Sequence, residues 1–504
     1  MEIIVLEILI GVQLGWTGKA IWQWKTGKSD CLWWYKRDYI YGAEIVMFLV
    51  LWVSGLLVFG FQWYFFGLYL LIQGILIIVH ILTGFKQRQN QGERQNQGER
   101  QKESEQSRAE SEQSRTESGQ RRRFLQPVRM ILATIGKCLM ITVLFVPVFL
   151  FPQTKQITPS GNYEFETASY TWTDENRIET FETDGSKRDV TVQFWYPTGV
   201  KEGKTFPLVI FSHGAFGYRM SNYSTYTELA SNGYVVCSVE HPYHAIFSKQ
   251  TDGKLITVNP QFIQDVMYIN SEGVSEDEIF ALSHKWVELR CADLHFVLNT
   301  IKEQVQQRQS NQVPSNQEQS NQVQSGKTEN GAHSDVVFAE IDLEHIGLMG
   351  HSLGGAAAVT AARSRDDIDA VIDLDGTMLG EELGCQNNIY TMNSQPYPVP
   401  LLCIDSTEHY EEGKQYGDQY ANAYILKRAV DGREIHFDGT GHMNFTDLPL
   451  FSPFLAKLLG TGSVDSRHCI KTMNGVILEY YNHYLKGYPT LELQGESIKD
   501  EGIH

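Results

Sequence analysis

Cysteine is scarce. The 504 residues hold 7: Cys31, Cys138, Cys237, Cys291, Cys385, Cys403 and Cys469. No two stand in Cys-x-x-Cys spacing, which removes zinc-finger and thioredoxin-like readings, and the odd number excludes a fully paired disulfide framework. Cys237 in YVVCSV and Cys403 in PLLCID sit in apolar runs, where a thiol packs as a small hydrophobe. Positive charge is also short: 42 Lys and Arg against 60 Asp and Glu leave a net charge of −18. The acidic surplus falls in the C-terminal two-thirds, so no nucleic-acid partner, which would favour a basic face, is expected. There is no His-Glu-x-x-His and no Gly-x-Gly-x-x-Gly. Gly326-Lys327-Thr328 lacks the leading glycine of a phosphate loop. No metal or cofactor is therefore expected. A basic stretch ahead of the first apolar residues is missing too, so the start lacks the form of a cleaved signal peptide.

Apolar sequence is abundant near the start. Residues 43–85 are nearly all apolar. About 20 such residues cross a bilayer, so this run predicts two spans with a tight turn at the aromatic-rich residues 61–66. Residues 130–151 predict another span, carrying one charge at Lys137. Residues 3–16 form a shorter candidate that holds Glu7. Between the spans, residues 86–129 are low-complexity: RQNQGE stands twice in tandem, and SEQSRAE is followed by SEQSRTE. Such a stretch buries too little apolar surface to fold, which predicts a disordered linker. Basic loops stay in the cytoplasm. One carries Lys19, Lys25, Lys28, Lys36 and Arg37; the other ends in Arg121, Arg122, Arg123 and Arg129. A hairpin over 43–85 places both on that side, and the span at 130–151 then carries everything after it outside. The chain is thus expected to be a multi-pass protein of the cell membrane, with residues 152–504 as an extracytoplasmic domain.

Within 152–504 the pattern changes. Short apolar runs at 190–197, 207–214, 234–241, 345–352, 369–376, 400–407 and 433–440 alternate with amphipathic stretches such as 281–303 and 355–364. That alternation predicts an α/β domain, a mostly parallel central sheet with helices on both faces. A second polar low-complexity stretch, 304–335, reads as a surface insertion.

The strongest local signal is Gly350-His351-Ser352-Leu353-Gly354. An apolar strand, IGLM, precedes it and a small-residue helix, GAAAVTAARSR, follows. This strand–turn–helix context is that of a nucleophile elbow, with Ser352 lifted out of the sheet at a helix N-terminus. A serine hydroxyl needs a base. In hydrolases of this type the order is Ser, acid, His. His442, in GTGHMNF after the strand REIHFD, fits as base. His436 within that strand reads as a packing residue, and His468 and His483 fall in the terminal helical region. Two residues fit as the acid, Asp375 and Asp405, each at the carboxyl end of a strand; Asp373 reads as structural. Two backbone N–H groups must hold an oxyanion. Leu353 supplies one. The loop His213-Gly214-Ala215-Phe216-Gly217 supplies the other, from Ala215. His241, Tyr243 and His244 line either the pocket mouth or an ordinary loop. The segment 245–283 is the candidate lid.

Taken together, FSHGAFG, LASNGYVVCSVEHPYHA, GHSLGG, LDG and GHMNF resemble the platelet-activating-factor acetylhydrolases of the plasma type, the lipoprotein-associated phospholipases A2. The likeness covers roughly residues 160–485. It implies the α/β-hydrolase fold, Ser352 as nucleophile, Asp375 as acid through the LDG match, His442 as base through HMNF, and Ala215 and Leu353 as oxyanion donors. It also implies calcium-independent hydrolysis of short or oxidised sn-2 acyl groups of phospholipids. The membrane spans and the two polar insertions are not part of the animal plasma enzymes. A general carboxylesterase or lipase, and a silent hydrolase-like membrane sensor, are the alternatives. The partners expected are a lipid or small ester and the membrane itself.

Overall fold

The computed structural model describes residues 2–26, 33–54, 60–97, 108–152, 154–199, 201, 203–312, 327–328, 336–491, 493 and 497–498. The chain forms two compact units, Met1–Thr154 and Lys155–His504.

The first unit is helical: α1 (Glu2–Lys25), α2 (Trp33–Val53), α3 (Tyr64–Gln97) and α4 (Arg108–Leu150). Among the described residues, three stretches are long and apolar enough to cross a membrane: Ile3–Lys25, Phe61–Thr83 and Pro127–Leu150. The apolar part of α2, Tyr39–Val53, is shorter. The run at 43–85 thus divides unevenly, and the N-terminal candidate extends well past residue 16. The reason is local. Gly15, Thr17 and Gly18 interrupt the apolar run without breaking the helix, which continues through Trp22 and Trp24. The linker expected over 86–129 is entered from both ends by α3 and α4, while residues 98–107 lie outside the described residues. Val5, Leu9, Phe48, Trp63, Phe66 and Phe145 form part of an apolar cluster drawn from all four helices or the turn before α3. Glu44 is buried beside them, 3.5 Å from Lys137 Nζ, and accepts hydrogen bonds from Gln13 and from Tyr69 Oη at 3.2 Å.

The second unit is built on a twisted sheet. Its main strands are β1 (Glu164–Ile178), β2 (Lys187–Thr198), β3 (Phe206–Ser212), β4 (Val235–Glu240), β5 (Ile341–His351), β6 (Ala370–Leu374), β7 (Leu401–Ser406) and β8 (Gly432–Phe437). Their order across the sheet is β1-β2-β4-β3-β5-β6-β7-β8, with Lys327–Thr328 beside β1 and Ser497–Ile498 beside β8. β1 and β2 are antiparallel, as are β2 and β4. From β4 to β8 all neighbours are parallel. This is the α/β-hydrolase fold. Every residue of β3, β4, β6 and β7 is buried, because helices cover both faces. Alternation sorts the side chains: Leu208 and Ile210 enter one core, Val209 and Phe211 the other.

On the first face lie α7 (Glu276–Gln312) and α8 (Leu353–Arg363), introduced after α5 (Tyr223–Ser231) and α6 (Pro260–Ile269). On the second lie α5 and the long C-terminal helix, whose Ile470, Met473 and Ile477 are buried. The insertion at 304–335 begins as the last turns of α7; residues 313–326 and 329–335 are outside the described residues. Cys237, Cys291 and Cys403 are free, buried thiols, and Cys469 is buried.

Candidate active site

The strands from β3 to β8 deliver their carboxyl ends to one edge, and the residues singled out above gather there. β5 ends at His351 and α8 begins at Leu353, which leaves Ser352 alone to make the turn. Its backbone sits at φ +56° and ψ −128°, a conformation that costs a non-glycine residue on the order of 1–3 kcal/mol. Two glycines let the turn close. A Cβ on Gly350 would run into the carbonyl of Gly354, and one on Gly354 into the carbonyl of Ser212. The Ser352 N–H donates to the Leu374 carbonyl at 2.9 Å, which ties the turn to β6. Leu353 is the first residue of α8, so its N–H has no acceptor within the helix.

β6 ends one residue before Asp375, which also has a positive φ, +51°. A Cβ on the next residue, Gly376, would stand 2.6 Å from the Ser352 carbonyl oxygen. The two turns therefore lie against each other. Asp375 is fully buried. Its Oδ2 is 2.7 Å from His442 Nδ1, and its Oδ1 accepts from the Ser406 N–H at 2.5 Å. Burial alone would raise its pKa, but the contacts with His409 and His442 outweigh it and hold the carboxyl well below the usual range.

His442 opens a short 3-10 turn, His442–Phe445, after Gly441. Asn444 fixes this turn by accepting from the N–H groups of Gly441 at 2.9 Å and Gly462 at 2.8 Å. The His442 ring lies 4.6 Å, centroid to centroid, from His351, the residue before Ser352. Its carbonyl oxygen is 3.2 Å from His351 Nε2. Burial, followed by the proximity of His442, pushes His351 down to about 3. His351 is therefore a neutral prop, and His442 is the imidazole joined to a carboxylate.

The other candidates fall elsewhere. Asp405 is buried, and burial, with the charges of Asp375, Glu434 and Asp373 added, pushes it well above the usual carboxylate range. Asp373 is likewise buried and, chiefly by burial, pushed up to about 8. His436 stacks on Tyr410 at 3.6 Å. The His468 backbone N–H donates to Asp465, the cap of the C-terminal helix, at 2.7 Å, and His483 faces the Tyr488 carbonyl at 2.7 Å.

The loop after β3 is pressed onto the nucleophile turn. A Cβ on Gly214 would come within 3.3 Å of Ser352 Cβ and 2.7 Å of His351 Nδ1. Ala215 is half-buried beside it. Phe216, at φ +59°, donates its N–H to the His244 carbonyl at 3.0 Å. His241 and His244 are buried behind this loop. His241 faces Ser212 Oγ at 2.9 Å and Asp293 Oδ2 at 2.9 Å. His244 stacks on Phe262 at 4.0 Å. Tyr243 Oη donates to Glu182 at 2.7 Å.

Three groups were not singled out from the sequence. His409, on the helix Thr407–Tyr416, lies 3.2 Å from Asp375 Oδ1. Burial would lower its pKa, but the Asp375 contact outweighs this and brings it up to about 8. The others are Arg290 and Asp293, both fully buried on α7. They had a signal: they share the stripe of Val287, Leu294 and Val297 at helical spacing, where a charge is out of place. With two histidines on one aspartate, Asp375, His409 and His442 also have the donor types of a metal site. His442, however, is a hydrogen-bond partner of the carboxylate at 2.7 Å, and His409 stands at ion-pair distance from it, 3.2 Å.

A family model described as platelet-activating factor acetylhydrolase, isoform II, matches residues 182–497. Curated proteins named platelet-activating factor acetylhydrolase are similar to the chain. The one from Gallus gallus is 26% identical over 301 residues, covering 56% of this chain and 63% of its own. The one from Canis lupus familiaris is 23% identical over 309 residues, covering 59% and 61%. The match thus spans about three-fifths of the length of these relatives. A solved ferulic acid esterase from Streptomyces cinnamoneus aligns with a TM-score of 0.47 at 20% identity, over 67% of this chain and 95% of that one.

Proposed function

Starting from a chain that belongs to the platelet-activating factor acetylhydrolase, isoform II, family, we propose a membrane-anchored serine esterase that cleaves short or oxidised sn-2 acyl esters of phospholipids. The observation that carries this reading is the 2.7 Å contact of His442 with a fully buried Asp375, placed against the strained turn that presents Ser352.

The reaction is a two-step acyl transfer. His442 takes the Ser352 proton as the hydroxyl attacks the ester carbonyl. Asp375 holds the imidazole in the tautomer with Nδ1 protonated and stabilises its cationic form. The N–H groups of Ala215 and Leu353 hold the oxyanion. His442 then returns the proton to the leaving alcohol, and water cleaves the acyl-enzyme by the same steps. No divalent cation enters.

Three helices of spanning length support the anchor. α3 and α4 both border the basic linker, so a cytoplasmic linker directs the end of α4 outward. The catalytic unit then stands on the extracytoplasmic side, where phospholipid esters of the outer leaflet are within reach.

The test is hydrolysis by the purified full chain of a panel running from acetyl to long-chain sn-2 phospholipids, with p-nitrophenyl esters beside them. Turnover should fall steeply as the sn-2 chain lengthens, persist in a calcium chelator, and vanish in Ser352→Ala. Equal turnover across the panel would replace the phospholipid reading by a general carboxylesterase; undiminished turnover in Ser352→Ala would remove the nucleophile.

A further inference from the structure

Arg290 is fully buried, yet among the described residues no carboxylate lies within ion-pair distance of it. The nearby acid, Asp293 on the next turn of α7, is already engaged. It takes Arg188 Nε and Nη2 at 2.7 Å each, Arg177 Nη1 at 2.9 Å and His241 at 2.9 Å. Arg290 turns instead to the loop after β3. Its Nη1 donates to the His213 carbonyl, its Nη2 to the Gly214 carbonyl at 3.3 Å, and its Nε to His244 Nδ1 at 3.3 Å.

The Gly214 carbonyl and the Ala215 N–H belong to one peptide plane. In a trans peptide they point in opposite directions. Whatever fixes the oxygen therefore aims the hydrogen. The Gly214 oxygen also accepts from the Gly217 N–H at 3.1 Å and lies 2.8 Å from His213 Nδ1, while the Gly214 backbone rests on Ser352.

We infer that Arg290 is the positioning residue of the oxyanion pocket: it draws the Gly214 carbonyl toward α7, so that the Ala215 N–H faces the acyl oxygen of an ester held above Ser352. This rests on the esterase reading. A neutral donor would be easier to bury. The guanidinium adds a fixed positive charge behind a peptide that must meet developing negative charge, in a site shielded from water. Burial lowers its pKa to about 9, which leaves it cationic at neutral pH. It also keeps His213 and His244 neutral: burial first, and then the charge of Arg290, hold both well below the usual imidazole range.

The experiment compares the full-length wild type with Arg290→Met and Arg290→Lys. It measures kcat and KM for a p-nitrophenyl acetate-type ester, and the Ki of a trifluoromethyl ketone that forms a tetrahedral adduct. Rates are normalised to Ser352 sites titrated to completion by a fluorophosphonate, so that unfolded protein does not count. Arg290→Met should lose about 10²–10³ in kcat with KM changed by less than about threefold, and should weaken the ketone in step with kcat. Arg290→Lys keeps the charge but reaches one carbonyl, and should lose about tenfold. If Arg290→Met does not fold, Arg290→Lys decides. Normalised kcat values equal to wild type, or equal losses in KM and ketone affinity with kcat retained, overturn the assignment. A wild type that takes no fluorophosphonate removes the esterase reading and this inference with it. A labelled wild type with indifferent Arg290 variants removes the inference alone.

Discussion

Two aspartates at the end of β6 stand beside the Ser352 turn, and their surroundings give them different work. Asp375 is ionised and receives His442, His409 and the Ser406 N–H. Asp373, two residues earlier, is pushed up to about 8 by burial and is protonated at neutral pH. Asp375→Asn should therefore lower kcat by about 10³–10⁴, since an amide cannot hold the tautomer. Asp373→Asn copies the protonated form and should keep kcat within about threefold. Steady-state kinetics of the two variants checks this, and an equal loss in both would contradict it. Asp373 also carries a pH signature. Its folded pKa is raised, so the stability it lends is full below the unfolded value near about 4 and is lost as pH rises toward about 8. Melting points of Asp373→Asn should gain on wild type across that window. His409 behaves with the same sign. Raised to about 8 by Asp375 against the opposing effect of burial, it contributes roughly 2 kcal/mol below its unfolded value near about 6.5, and loses it as pH rises through about 8. Denaturation of wild type and His409→Asn at pH 6 and pH 9 should show the deficit of the variant shrinking at the higher pH. A constant deficit would assign His409 a packing role.

At the scale of elements, the nucleophile turn couples activity to strain. Ser352 holds a backbone conformation suited to glycine, while Gly350 and Gly354 supply the room. Replacing Ser352 by alanine leaves the strain; replacing it by glycine relieves it. Both variants should be inactive, but Ser352→Gly should be more stable than Ser352→Ala by about 1 kcal/mol, read as denaturation midpoints. A less stable glycine variant would mean that the turn is not strained. The same turn was legible in the sequence, because a tight strand-to-helix turn leaves its glycines in a fixed spacing. The strand alternation and His442 were legible for similar local reasons. The choice between Asp375 and Asp405 was not legible from the strand pattern, since both end adjacent parallel strands; the structure puts the Asp375 carboxyl, not that of Asp405, on His442. His409 left no local mark: its partner lies 34 residues away in sequence, across the sheet. Arg290 was visible as a charge within an apolar stripe, but its partners are backbone carbonyls, which no residue pattern reveals. In the helical unit, apolar runs located the apolar parts of α3 and α4, but not the polar turns by which both helices extend into the linker. They misjudged the length of α1, because glycine and threonine lower hydropathy without ending a helix.

For the molecule as a whole, one chain joins two compact units: an apolar helical unit in which Lys137 pairs with the buried Glu44, and an α/β unit with two cores on one sheet. On the function proposed above, an anchor would raise the effective concentration of enzyme at an ester held in a bilayer. The whole account depends on an activated hydroxyl at Ser352. The direct measurement is to treat the full chain in its membrane with a fluorophosphonate and to map the adduct by peptide mass. The expected result is one phosphonyl group on Ser352, formed in the presence of a calcium chelator, absent in Ser352→Ala and slowed by about 10³ or more in His442→Ala. An adduct on another residue, or labelling of Ser352 at the same rate without His442, would contradict it.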